Sequence, residues 1–529
     1  MTPGPLGGLC RKAFVLFAVV YLYAFPYFDQ LRSANEMPRI LMTQEIVDRG
    51  VFYLDRRLGD MGSHGDLSRG PDGHIYPNKA PGPSLLAIPA YLLFKALGWT
   101  SLRACTWAFR VTAVTLPALF FLPVFYRLTR RFTGAEPARR TALGAYALAS
   151  PALPYAVLFF SHQLAAACVG SAFVAAVSLV RESRWDGAGS RAHPRSPGGG
   201  SGGHAEVAAA ATGLLAALAV AMDYQAVLAS AAVGIYALFG TRRRARTLLL
   251  LGAGALPAVA LLASYHAICF GSAFKTGYSY SFDTSTMQGF MGIVGPSKEV
   301  IFSTLLLPAN GLLVLVPWVV LAVVGAVAIL RNPEARSRAG AEAAVSAVIF
   351  VSYLIWISSL TPYMARGGWC VGPRYLTVCL PFIAWLAAAG FAAADRHRLT
   401  SVLAQALVFA AAAIYLVAIT TYPHWPDQLR NPLYELSFRL LYRGYAVHSV
   451  GTALGLHGIW AALPLYLFAL GLLLWLLGRG PGRSLRTTAL ACVLGGAVIL
   501  GHRAFPLTGP YAERVWGYVT ATWEPPRRQ

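Results

Sequence analysis

Charge is what this sequence has least of. Only 12% of its 529 residues are Asp, Glu, Lys or Arg, while 56% are hydrophobic. That balance excludes a soluble globule, whose surface needs about twice that charged fraction. Acids are scarcest: 22 Asp and Glu stand against 44 Lys and Arg, for a net charge of +22. Such a surplus suits nucleic acid in a soluble chain. Here the basic residues sit mainly in short breaks between apolar runs, where they orient helices in a bilayer, so no nucleic-acid partner is expected. Cysteine is sparse too. The seven residues show no metal-ligand spacing, which excludes a cysteine-built metal site. Cys105, Cys168, Cys379 and Cys492 lie in apolar runs and read as small core residues. Cys269 and Cys370 both fall near one expected face, and a disulfide between them is left open. No internal repeat and no soluble domain is visible. No small-residue cleavage site follows the first apolar run, 13–28, so that run reads as an uncleaved span with Arg11 and Lys12 inside.

What the sequence has in quantity is apolar runs. A bilayer crossing takes about 17–25 apolar residues, and spans of this kind are helices because lipid cannot satisfy a bare backbone. After the first span, runs at 109–126, 141–160, 163–180, 206–222, 224–240, 247–269, 309–330, 343–361, 375–394, 401–421, 458–477 and 487–502 bring the total to about 13. The run 84–97 is shorter and carries Lys95. If it spans, the loop 127–140 with its five Arg falls outside; if it only dips into the interface, that loop falls inside with the other basic loops. It is therefore read as a juxtamembrane segment. The expected fold is all-α: a single polytopic membrane domain over 1–529, with a long first periplasmic loop containing juxtamembrane helices. The Gly/Ser/Pro-rich stretch 186–204 reads as a disordered cytoplasmic linker. Outer segments 270–308, 362–374 and 422–457 remain, the first and last expected to shape an acceptor cleft.

Eight of the 22 acids fall in the first outer loop, 29–104: Asp29, Glu36, Glu45, Asp48, Asp55, Asp60, Asp66 and Asp72. Asn35 or Ser33 would cap a short helix through Asp48, with Met37, Ile40, Leu41 and Val47 on a membrane-facing side and Gly50 ending it. The stretch 58–73, rich in Gly and Asp, reads as loop. In Asn35-Glu36-x-x-Arg39, a carboxylate beside the first span can act as a general base, with Arg39 three residues on to orient it; the plain alternative is a solvated helix start, where Glu is favoured anyway. In Tyr76-Pro77-Asn78-Lys79-Ala80-Pro81-Gly82, Lys79 can grip a lipid phosphate as a point charge, or simply snorkel. In Gly372-Pro373-Arg374-Tyr375, Arg374 opens a span and offers a fork for phosphate, or anchors the helix beside an aromatic. His162, Asp223 and His266 are further ionisable residues near the outer face. His266 and Glu36 as shared metal ligands are only two groups, too few to define a site.

Together these motifs resemble the GT-C-type integral membrane glycosyltransferases, in the branch with protein O-mannosyltransferases, lipid A aminoarabinose transferases and their bacterial relatives. The features that carry this are Asn35-Glu36-x-x-Arg39 after the first span, Tyr76-Pro77-Asn78-Lys79-Ala80-Pro81 closing the first loop, Pro373-Arg374-Tyr375-Leu376 opening a late span, and Asn310-Gly311-Leu312-Leu313 between Pro308 and Pro317. The resemblance covers about residues 10–400. It implies an inverting sugar transfer from a polyprenyl-phosphate donor to a lipid, glycan or protein acceptor, at the outer face of a bacterial inner membrane. It also implies a catalytic carboxylate in the first outer loop, with Glu36 as base and Arg39 orienting it, and Lys79, Arg374 and Tyr375 on the donor phosphate. Asn35, Tyr76, Asn78, His162, Asp223 and His266 would supply further donor or acceptor contacts. Two positions depart from the family. Asn35 stands where an acid is usual, so the base falls to Glu36 or a later carboxylate such as Asp55. Asn78 stands where some relatives carry a metal-binding Glu, so no cofactor is expected outright and a divalent metal stays open. A lipid-linked oligosaccharide flippase or transporter and a surface-polysaccharide polymerase or ligase are the rival readings. The first would show inverted repeats and mid-span ionisable groups; the second would use outer-face Arg without a carboxylate in the first loop.

Overall fold

The computed structural model describes residues 6–29, 31, 33–61, 66–188, 201–480 and 483–522. The long apolar runs of the sequence are helices, as a backbone that must hydrogen-bond to itself requires. Among the described residues, nine helices are long and apolar enough to cross a membrane, from Leu102–Phe132 to Leu485–Ala504. Three shorter apolar helices, Ala13–Tyr23, Tyr224–Gly240 and Pro317–Arg331, coincide with further expected spans. The remaining one, 141–160, is broken into Glu136–Leu148 and Ala152–Val157. Pro151 sits at the break and brings no N–H to the helix ladder. The indole of Trp318 satisfies a carbonyl released there, donating to Ala149 O at 2.6 Å.

Helix packing relies on small residues and buried rings. Gly325 and Gly390 let two helices touch backbone to backbone: a Cβ at either would lie 1.9 Å from a carbonyl of the other helix, the small-residue contact typical of membrane bundles. Phe125, Tyr146 and Trp385 stack nearly parallel at the centre, with centroids 4.7 and 5.5 Å apart, and Trp385 donates to Phe125 O at 3.0 Å. The helix from Leu102 to Phe132 carries a π-turn over Val111–Thr115. Pro117, which cannot donate back to the preceding turn, accounts for its place, and Arg110 is the last residue before it.

The first outer segment differs in detail from its sequence reading. The helix Met37–Arg49 ends at Gly50, whose φ of 68° no β-branched residue adopts readily. Its N-cap is Glu36, not Asn35 or Ser33, and no side chain caps it. Nor does it lie with one face to a membrane. Every residue from Met37 to Glu45 is buried, because the helix Gly82–Ala96 covers it: Thr43 donates to Ser84 O and Ser84 to Arg39 O, both at 3.0 Å. That second helix leaves Leu86, Leu92 and Leu93 exposed, an uncovered apolar face of the kind a juxtamembrane segment needs. Within the stretch read as loop, Leu67–Arg69 pairs with Ile75–Pro77, Leu67 opposite Pro77. The register continues to Asp66, whose carbonyl accepts from Asn78 N at 3.0 Å. This hairpin thereby fixes Asp66 beside Lys79.

Cys269 and Cys370 are free thiols and belong to separate buried clusters, so the disulfide left open is not formed. Of the expected linker 186–204, residues 189–200 lie outside the described residues; the flanking positions are helical in His162–Ala188 and Ser201–Met222.

Candidate active site

An open cavity of about 400 Å³ lies where the first outer segment meets the loops 270–308, 362–374 and 422–457. The hairpin contributes Asp66, Asn78 and Lys79; the approach to the helix Met37–Arg49 contributes Ser33 and Asn35; the late loops contribute Tyr278, Asp283, Arg374, Tyr375, His424 and Asp427. Three sequence-expected motifs are therefore brought to one wall: Asn35, Asn78 with Lys79, and Arg374 with Tyr375.

The two cations at the cavity are held differently. Lys79 is ion-paired with Asp66 at 2.9 Å and donates to the Tyr278 hydroxyl at 3.0 Å. Burial opposes its charge, but Asp66 and the Tyr278 and Tyr375 hydroxyls outweigh it and hold Lys79 above its ordinary range. Arg374 pairs with no carboxylate among the described residues. One Nη donates to the Tyr375 hydroxyl at 3.1 Å, its Nε has no partner, and its guanidinium lies 4.9 Å from the Tyr375 ring centre. Gly367 makes room for it: φ is 78°, and a Cβ there would meet Arg374 Nε at 2.8 Å. A sheltered guanidinium that no carboxylate pairs with is matched to an anion supplied from outside.

Arg39 lies behind Asn35. It donates to Asn35 O at 2.6 Å, to Asn35 Oδ1 and to Ser161 Oγ at 3.3 Å, and its Nε is unpartnered. It does not hold Glu36. That role belongs to Arg110, which the sequence reading missed. Arg110 forks onto the carboxylate with Nε and Nη2 at 2.9 and 2.7 Å, and Phe159 N adds a third donor at 2.5 Å. Burial works against the charge of Glu36, but Arg110, His424 and the Phe159 N–H outweigh it and keep the carboxyl below its ordinary range. Glu36 is 3% exposed and is absent from the cavity wall. Its oxygens are committed inward, so the expected base does not face an acceptor. The fallback, Asp55, is committed too: it bonds His74 at 2.6 Å and Ile75 N at 2.8 Å, bracing the hairpin.

The other expected contacts divide. Asn35 reaches Asp66 Oδ2 at 3.4 Å and Asn78 donates to Ser281 at 3.1 Å, both on the wall. Tyr76 turns away and donates to Asp72 at 2.6 Å. Asp223 accepts from His162 at 2.6 Å and from Ser161 at 3.0 Å. Burial raises its carboxyl, but His162, Gln225 and Arg39 pull it down to about 2. His162 meets the Tyr375 ring edge-on at 5.9 Å, one layer behind the cavity. His266 is spent on Tyr224 and Ala273 O, so it shares no metal with Glu36; no group of three or more His, Cys, Asp or Glu among the described residues could hold a metal. His424 does line the cavity, with Nε2 3.8 Å from Glu36. Burial pushes its imidazole down to about 4 against the pull of Glu36, so it is neutral at pH 7.

No protein-family model matches the chain, and no curated protein matches it in sequence. Solved structures do match in fold. ArnT from Cupriavidus metallidurans in the apo state aligns over 93% of this chain and 75% of its own, with TM-score 0.50 and 16% identity. The same enzyme bound to undecaprenyl phosphate aligns over 97% of this chain and 79% of its own, with TM-score 0.51 and 16% identity. The chain thus shares the polytopic, all-helical fold of ArnT.

Proposed function

We propose that this protein is an inverting membrane glycosyltransferase that moves a sugar from a polyprenyl phosphate to an acceptor at the outer face of a bacterial inner membrane. The observation that carries this reading is Arg374, sheltered in the wall of an open cavity beside Lys79 and ion-paired with no carboxylate among the described residues. Two cations at one wall suit a phosphate better than a neutral sugar or a peptide. The likeness in fold to an enzyme solved with undecaprenyl phosphate supports the same ligand class here. Lys79 has three N–H donors. Asp66 and Tyr278 take two, which leaves one for a phosphate oxygen. Arg374 offers the Nη N–H groups that Tyr375 leaves free, and the Tyr375 hydroxyl stands beside them. As the sugar–phosphate bond breaks, negative charge grows on the leaving oxygen, and these fixed donors stabilise it without rearranging.

The test is transfer by the purified protein from a panel of polyprenyl-phosphate sugars to lipid, glycan and peptide acceptors. The expected result is release of free polyprenyl phosphate with glycosylated acceptor for one donor class, weakened in Lys79→Ala by about 1.5–3 kcal/mol of lost charge-assisted bonding. No release from any donor would refute the reading.

A further inference from the structure

Three carboxylates line the cavity, and the structure treats each differently. Asp66 is ion-paired with Lys79. Asp283 turns onto its own chain, accepting from Ser285 N at 3.0 Å and Ser285 Oγ at 2.7 Å. Asp427 accepts no hydrogen bond from any described residue, and its Oδ1 is shielded from solvent without a partner. A sheltered carboxylate oxygen left without a donor is costly, and native proteins seldom keep one without a use. Its second oxygen is not shielded in this way, and because Asp427 lines the cavity a donor entering there can reach it.

The loop around Asp427 is anchored on both sides. Trp425 donates from its indole to Ser437 at 3.0 Å, its carbonyl accepts from Cys370 N at 3.1 Å, and Leu429 N returns to Pro426 O at 3.1 Å. Pro426 restricts the backbone just before the carboxylate. An unpaired acid on a fixed backbone is the preorganisation a proton acceptor needs. Asp427 bonds to neither Lys79 nor Arg374, so it is separate from the groups assigned to the phosphate. Glu36, by contrast, has its lone pairs taken by the Arg110 fork and the Phe159 N–H.

We infer that Asp427 is the general base of the transfer and that the acceptor is a hydroxyl-bearing molecule. This rests on the glycosyl-transfer reading above. In the step, an Asp427 oxygen takes the proton of the acceptor hydroxyl. The acceptor oxygen forms a bond to the anomeric carbon, and the bond from that carbon to the phosphate oxygen breaks. Its electron pair leaves on polyprenyl phosphate, held by Lys79 and Arg374, and Asp427 later gives the proton to water.

The experiment compares the parent, Asp427→Asn, Asp427→Glu and Glu36→Gln in transfer turnover and in titration with undecaprenyl phosphate. Asp427→Asn should lose about 10²–10⁴-fold in turnover while binding undecaprenyl phosphate like the parent, with partial recovery in Asp427→Glu and, per folded molecule, the larger part of turnover kept in Glu36→Gln. Asp427→Asn turnover within about threefold of an active parent overturns the assignment of the base and leaves the transfer reading standing. Loss of undecaprenyl phosphate binding in Asp427→Asn also overturns it, since a base is not required to hold the donor. A parent that transfers from no donor overturns both readings.

Discussion

Arginine is used in opposite ways at the two ends of the helix bundle. The helical run Arg374–Ala394 joins them. At its far end, Asp395 is forked by Arg483, which also donates to Thr141 and to Leu477 O. Nearby, Arg131 pairs with Glu342 at 2.9 Å and Arg139 with Glu136 at 2.6 Å. At the cavity end, Arg374 forms no ion pair with a carboxylate among the described residues, and its Nε is unpartnered. A cation whose counter-charge is built into the fold belongs to the scaffold. One without it is available to a ligand. Arg110 sharpens the contrast, because it sits close to the cavity and yet is paired with Glu36 at 2.7 Å; it falls on the scaffold side.

The largest effect should come from breaking that pair. Arg110→Leu leaves Glu36 buried without its partner, at a cost of about 3–5 kcal/mol. Thermal unfolding in detergent would show the drop, and adding Glu36→Leu should restore most of it, since replacing both partners with apolar groups is far cheaper than removing one. An unchanged melting temperature in Arg110→Leu would place Glu36 outside the scaffold and return it to the list of bases.

A smaller effect is expected at Asp223, which is near the cavity but paired. Its carboxyl is depressed from 3.8 to about 2 in the folded chain. A depressed acid contributes stability that is present above the unfolded value and is lost as pH falls through the folded one. The window is therefore between 3.8 and about 2, and the contribution is about 2 kcal/mol. Asp223→Asn should flatten that part of a pH–stability curve, and a parent curve already flat there would contradict the pairing.

Much of the fold was readable because bilayer physics leaves few choices. Long apolar runs must be helices, and each of the thirteen expected runs holds an apolar helix, nine of them among the described residues long enough to cross. The run 141–160 is broken at Ser150-Pro151 and 309–330 at Val316-Pro317, where the prolines were visible but their consequence for the spans was not drawn. That Lys79, Arg374 and Tyr375 line one cavity was legible in part, because Pro and Gly beside them marked fixed turns. Glu36 misled because spacing on one helix ranks Arg39 as its partner, while the actual partner, Arg110, is 74 positions away in sequence. Long-range pairing of that kind leaves no local periodicity. Asp427, the base inferred above, was not singled out for the opposite reason: nothing nearby repeats with it. The one signal available was Trp425-Pro426-Asp427, a stiffened carboxylate in a segment already expected to shape the acceptor cleft.

The central claim is that an unpaired guanidinium marks the ligand site, and titration with undecaprenyl phosphate tests it most directly. Arg374→Ala and Arg483→Ala would be titrated and melted side by side with the parent. The account predicts that Arg374→Ala weakens binding by about ten- to hundredfold with its melting temperature kept, while Arg483→Ala melts lower but binds like the parent. Equal binding by the parent and Arg374→Ala, or equal loss in both variants, would contradict it.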